Sequence, residues 1–134
     1  MSADFQATTA GITVTVKVYY LDDQSKPESG QFIWAYRINI TNRGALTVQL
    51  LRRTWRITDA RGQTQTIQGE GVIGETPVLE PGESFEYTSG TPLSTPSGFM
   101  AGQFHMLAML TGALFDIEIP TFSLDSPHQN HRLH

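Results

Sequence analysis

Gly69, Gly71 and Gly74 are spaced G-x-G-x-x-G within the run Gln68-Gly69-Glu70-Gly71-Val72-Ile73-Gly74. In a dinucleotide-binding domain this spacing ends a strand and opens a helix, whose free N–H groups hold a pyrophosphate. That chemistry needs a helix after the third glycine. Here Gly74 is followed by Glu75, Thr76 and Pro77, and then by Pro81-Gly82. A proline inside a helix deletes a hydrogen bond and clashes with the preceding turn, at a cost of about 3 kcal/mol. No amphipathic helix fits before the next strand-like run, and no βαβ unit surrounds the motif. The glycines read instead as positions of positive φ, or of close backbone approach, between strands. A second chemistry survives this argument. Successive N–H groups of a glycine-rich loop can form an anion-binding concavity without a helix, and Arg52 or Arg53 would supply charge to a nucleotide or pyrophosphate. The candidate ligand-binding set is therefore Arg52, Arg53, Gly69, Glu70, Gly71 and Gly74.

Other chemistry is sparse. With no cysteine, the chain has no thiolate nucleophile, disulfide or Cys-ligated metal. His105 stands alone in a strand-like run and reads as a packed or surface histidine. His128, His131 and His134 recur every third residue near the C-terminus, a spacing that can chelate a divalent ion. Nothing around them fixes a geometry, so they read as a solvated tail. Glu70, Glu75, Glu80, Glu83 and Glu86 fall on strands and turns and read as exposed charges rather than an acid–base pair. No catalytic residue, resident metal or cofactor is assigned, and a non-enzyme is expected.

The formal net charge of −4 disfavours nucleic acid, because phosphate binding needs a net basic face. Arg52, Arg53 and Arg56 read as a solvated strand face. No apolar run approaches the roughly 20 residues of a membrane span, so no membrane insertion is expected. The start Met-Ser-Ala-Asp-Phe-Gln lacks the basic and apolar parts of a signal peptide. Together with the absent cysteines, this points to a soluble protein of the cytoplasm.

The elements that position these residues repeat with a period of two. Ile12, Val14, Val16 and Val18 alternate with Thr13, Thr15 and Lys17, and Phe32, Trp34, Tyr36, Ile38 and Ile40 alternate again, the mark of half-buried strands. Strands are also predicted at 47–51, 54–58, 64–67, around Phe85 and Tyr87, from Phe104, and at 114–124. Turn chemistry separates them at Asn42-Arg43-Gly44, Asp59-Ala60-Arg61-Gly62, Pro81-Gly82 and Thr111-Gly112. Pro92 and Pro96 mark a long irregular link. Pro120 requires an edge position or a bulge. Seven or eight short strands with no amphipathic helix predict an all-β fold, an antiparallel β-sandwich. The expected domain spans residues 1–124, with a polar, loose tail over 125–134.

Longer stretches carry a resemblance. They are Ile40-Thr41-Asn42-Arg43-Gly44, Val48 to Arg53 with Trp55-Arg56-Ile57-Thr58, Gln68 to Gly74, Pro81 to Gly90, Thr95-Pro96-Ser97-Gly98, and Phe115 to Pro120 with Phe122. In these the chain resembles the ApaG-domain family across nearly all of residues 10–124. The resemblance implies a fibronectin type III-like (immunoglobulin-like) sandwich and an association with cobalt and magnesium resistance or efflux. It also implies a protein-interaction role, as related domains have in larger proteins, so the expected partner is another protein. A small anion and a divalent cation are the alternative ligands. One departure is visible. Where the family tends to carry an acidic turn before the last strand, this chain reads Met106-Leu107-Ala108-Met109-Leu110-Thr111-Gly112. A cation role for that turn is therefore not expected; the substitution either widens an apolar surface or buries.

Overall fold

The computed structural model describes residues 2–129. Among these, nine strands form two antiparallel sheets. They are β1 (Ser2–Thr9), β2 (Ile12–Tyr20), β3 (Phe32–Asn42), β4 (Val48–Asp59), β5 (Thr64–Glu70), β6 (Val78–Leu79), β7 (Ser84–Leu93), β8 (Gly98–Ala108) and β9 (Leu114–Leu124). The first sheet has the order β1-β2-β3-β7. The second has the order β5-β4-β8-β9, with β6 also pairing β4.

The alternating residues of β2 and β3 fill the space between the sheets. Val14, Trp34, Ile38 and Ile40 are fully buried from one side, and Leu50, Met100, Phe104 and Ile117 from the other. Aromatic rings bridge the sheets: Tyr36 lies 5.4 Å from Trp55 and 5.8 Å from Phe122, and Trp55 lies 5.9 Å from Phe122. Tilted and edge-on rings at this spacing add to their area burial. Buried Asn42 ties the sheets together, because its amide donates to the Leu46 and Leu79 carbonyls and its oxygen accepts from Gly44 N–H.

Four expectations change. The strand count is nine rather than seven or eight, because β1 and the two-residue β6 are added. The segments 47–51 and 54–58 are one strand, β4, whose register against β8 slips between Leu50 and Arg52. A bulge inserts one residue and so reverses the phase of the inward residues. The link around Pro92 and Pro96 is short, because β7 reaches Leu93 and β8 starts at Gly98. Residues 125–129, expected to be loose, fold back on the sandwich. Trp34 Nε1 donates to the Asp125 carbonyl at 2.8 Å, and the Ser126 hydroxyl donates to the Pro96 carbonyl at 2.6 Å.

Pro120 satisfies both conditions set for it. β9 is an edge strand, and Met100 pairs Phe122 while Gly102 pairs Ile119, so two residues of β9 oppose one of β8. Pro81-Gly82 forms the expected turn, with Gly82 at φ +89 and Glu83 N–H donating to the Glu80 carbonyl at 2.9 Å.

Candidate functional site

The glycine run folds as the end of β5 and a tight hairpin tip. Val72 and Glu75 exchange two backbone hydrogen bonds at 2.8 and 2.9 Å. Between them Ile73 and Gly74 have φ of +44 and +79, the signature of a type I′ turn. A β-branched residue at positive φ is strained, so the flanking pairing holds Ile73 there. Gly71, at φ +57, leads into the tip, and its N–H donates to the Leu51 carbonyl at 2.8 Å. The amides of Gly71, Val72 and Glu75 are thus spent within the fold. They are not the open row of donors expected of an anion cradle.

Alternation along the bulged β4 separates the two arginines. Arg52 is exposed and sits opposite Glu70. Arg53 points between the sheets, on the face of Trp55 and Ile57, and lies over Gly69. Its Nη1 donates to the carbonyls of Glu70 at 2.9 Å and Gly71 at 2.7 Å. The loop therefore presents carbonyls to Arg53 rather than amides to an anion. Of the candidate set, Arg53, Gly69 and Gly71 come together with the Glu70 backbone. Arg52 and the Glu70 carboxylate are on the other face, and Gly74 is at the tip.

Arg53 faces a cleft on the open side of the sandwich. On the closed side β1 packs against β9, and Glu118 N–H reaches Thr9 Oγ1 at 3.2 Å. On the open side the edges β5 and β7 flank two adjoining cavities. One, of about 260 Å³, is lined by Tyr36, Arg53, Trp55, Val72, Tyr87 and Ser89 among others. The second, of about 220 Å³, shares Tyr36, Arg53, Trp55 and Ser89 and extends to Ile67 and Pro92. Tyr87 is only 6% exposed, and its hydroxyl has no hydrogen-bond partner among the described residues. Burial pushes this phenol far above its usual range; the Tyr36 phenol beside it adds to the rise and Arg53 opposes it. Burial likewise raises Tyr36, against the pull of the Ser89 hydroxyl and Arg53.

A second constellation lies on the outer face of the second sheet. His105 is not alone. Its Nε2 lies 2.7 Å from Thr54 Oγ1 and its Nδ1 lies 2.7 Å from Asp116 Oδ1. The order Thr–His–Asp is that of a nucleophile, base and orienting acid. Its setting does not support acyl transfer. Thr54 is only 7% exposed. β4 and β8 are each paired on both sides, so their amides are committed to ladders rather than to an oxyanion. Arg56, Gln103 and Glu118 continue the polar face as a hydrogen-bonded row.

The β8–β9 turn answers the question its apolar residues raised. Met106 and Ala108 are buried, whereas Met109, Leu110 and Leu114 are 46%, 84% and 74% exposed. The turn thus does both: it buries its first residues and adds an apolar surface with the rest. Among the described residues, no group of three or more His, Asp or Glu could hold a metal ion. Among them, no helix is long and apolar enough to cross a membrane. His128 packs its ring 5.9 Å from Tyr20 and 6.0 Å from Phe32. His131 and His134, and with them the chelating-tail reading, lie outside the described residues.

Sequence reasoning missed Tyr36, Tyr87 and Ser89 as cleft residues, and the His105–Asp116 pair. The latter follows from the β8–β9 register, in which Leu107 pairs Leu114 and His105 pairs Asp116, a hairpin centred one residue before the Thr111-Gly112 turn read from the sequence. Two antiparallel sheets, closed on one side and open on the other, define an antiparallel β-sandwich. Residues 22–108 match the family model described as the ApaG domain. The ApaG protein of Paramagnetospirillum magneticum is 59% identical over 129 residues, covering 96% of this chain and 98% of that one. The ApaG protein of Rhodospirillum centenum is 54% identical over 128 residues, with the same coverage. The crystal structure of the ApaA protein from Bordetella pertussis superposes with a TM-score of 0.84 at 42% identity, covering 88% of this chain and 95% of that chain. This chain belongs to the ApaG-domain family. The C-terminal domain of Wzt shares the fold alone, with a TM-score of 0.55 at 11% identity, covering 91% of this chain and 77% of that one.

Proposed function

We propose that this protein is a non-catalytic binding module that recruits a partner protein along the open side of its sandwich. One observation carries the reading. β5 is an edge strand, exposed at every residue but Gly69, with no proline, lysine or arginine in Thr64-Gln65-Thr66-Ile67-Gln68-Gly69-Glu70. An unprotected edge offers a row of free backbone N–H and C=O groups to another strand, and strand addition is a recurring mode of peptide recognition. The cobalt and magnesium resistance implied by the family resemblance is then exerted through the partner, in the cytoplasm.

The test compares tagged wild type with Ile67→Lys in the native cell. Ile67 is 38% exposed on the cleft side of β5, so a lysine there is tolerated by the fold and guards the edge. The expected result is a partner retained by wild type, lost with Ile67→Lys, and kept by an outer-face control, Gln103→Lys. A partner retained equally by all three contradicts the reading.

The small-anion alternative keeps Arg53 as its one favourable observation and loses the Gly71 and Val72 amides, which are spent within the fold. A thermal-shift series with nucleotide, pyrophosphate, cobalt and magnesium tests it together with direct metal binding, because a ligand of the folded state raises the melting temperature as its concentration exceeds Kd.

A further inference from the structure

We propose that the cleft between β5 and β7 is a carboxylate-binding site built on Arg53, Tyr87 and Ser89. Both Nη1 hydrogens of Arg53 are spent on the Glu70 and Gly71 carbonyls. Among the described residues, neither its Nε nor its Nη2 has a hydrogen-bond partner. These two atoms form one of the guanidinium's two-pronged edges, whose parallel N–H groups match the two oxygens of a carboxylate. The bracing carbonyls fix the plane of the guanidinium before any ligand arrives, so little rotamer entropy remains to be lost on binding.

The neighbouring groups are also donors. Tyr87 lines the same cavity as Arg53, Tyr36 and Ser89, and its hydroxyl is buried without a partner among the described residues. A buried hydroxyl left unpaired is costly, and an acceptor in the cavity would satisfy it. The two phenols remain protonated at neutral pH, so each can donate to an anion. Trp55, Val72 and Ile67 give the cleft apolar walls. The complementary ligand is a carboxylate on a short apolar stem, with its charge on Arg53 and its stem against Trp55. Such a group comes from a free small carboxylic acid or from an acidic side chain of an extended peptide. The site stands apart from the recruitment proposal, since a carboxylate can bind whether or not a partner strand adds to β5.

The test follows the Arg53 Nε and backbone amide NMR signals of the full chain. Four probes are titrated: propionate, glutamate capped at both ends, glutamine capped in the same way, and inorganic phosphate. Propionate and capped glutamate are expected to give saturable shifts at Arg53 Nε, Gly69 to Gly71 and Ser89. Capped glutamine is expected to give none. Arg53→Gln is expected to weaken binding at least about ten-fold, and Tyr87→Phe about three-fold. Because Arg53 braces the hairpin, Tyr87→Phe and Ser89→Ala serve as variants that leave that bracing in place. Tighter binding of capped glutamate than of propionate assigns the site to a peptide side chain, and the reverse order to a free acid; both support it. The proposal is overturned by carboxylate shifts that do not saturate, by equal binding of capped glutamine, by tighter binding of phosphate, or by affinity unchanged in both Tyr87→Phe and Ser89→Ala.

Discussion

Replacing Gly71 and Gly74 separately with alanine tests whether the glycine run is a structural device. Both glycines have positive φ, +57 and +79. An L residue in the left-handed region costs roughly 1–2 kcal/mol, offset by about 0.4–1 kcal/mol of entropy removed from the unfolded chain. A Cβ at Gly74 meets nothing within 4 Å, so Gly74→Ala costs only that difference, about 1 kcal/mol. A Cβ at Gly71 would overlap the Glu75 carbonyl oxygen, lie 2.9 Å from its carbon and approach the Thr76 methyl at 3.2 Å. These backbone atoms cannot swing away without opening the Val72–Glu75 pair. Overpacking adds about 1–3 kcal/mol, and each lost hydrogen bond about 1 kcal/mol. Gly71→Ala is therefore expected to cost about 3–4 kcal/mol. In urea, with m of about 2 kcal/mol/M, its midpoint falls by roughly 1.5–2 M, against about 0.5 M for Gly74→Ala. Equal shifts for the two variants would refute the reasoning, because the steric difference at the hairpin would then have no energetic weight.

Phe122→Ala removes the 1%-exposed ring that packs on Phe5, Tyr36 and Trp55. Urea unfolding should show a loss of about 3–5 kcal/mol, and a loss below about 1 kcal/mol speaks against one inter-sheet aromatic core. Tyr36 and Tyr87 titrate higher in the folded state than in the unfolded one. Their contribution is therefore fully present below about pH 10 and falls as pH rises toward the raised folded values, by up to about 1.4 kcal/mol per pH unit for each group. Urea midpoints measured across that range should fall less steeply for Tyr87→Phe, and identical slopes contradict the buried phenol. Asp116→Asn leaves His105 without its carboxylate, but Asp116 is 58% exposed. The expected loss is below about 1 kcal/mol, and a larger one in urea unfolding would mean that the outer-face network is structurally important.

The parts of the fold with clean alternation were legible in the sequence. β2 and β3 place every second residue in the core, and the turns at Gly62 and Gly82 follow from residue types that favour positive φ. β1 was hidden because an edge strand with Phe5 as its main apolar anchor has little pattern to show. β4 read as two pieces because its bulge reverses the inward phase at Leu51. Pro77 and Pro81 sufficed to exclude a nucleotide helix, but the hairpin could not be foreseen, since it forces Ile73 into a conformation that β-branched residues avoid. The separation of Arg52 from Arg53 was in principle legible, as neighbours on a strand face opposite ways. The cleft itself was not. Tyr36, Arg53, Tyr87 and Ser89 come from three strands of two sheets, and their meeting depends on how the sheets pack rather than on any local spacing.

The claim that the open side of the sandwich is the working surface is tested most directly by footprinting it in the cell. A photo-crosslinking residue is placed in turn at Thr66 and Gln68 on β5, at Ser84 and Glu86 on β7, at Gln103 on the outer face, and at Leu110 in the apolar turn. The expected result is one partner crosslinked from the β5 and β7 positions, and lost from them when Ile67→Lys is added. Crosslinks to that partner arising mainly from Gln103 or Leu110, and insensitive to Ile67→Lys, would contradict it.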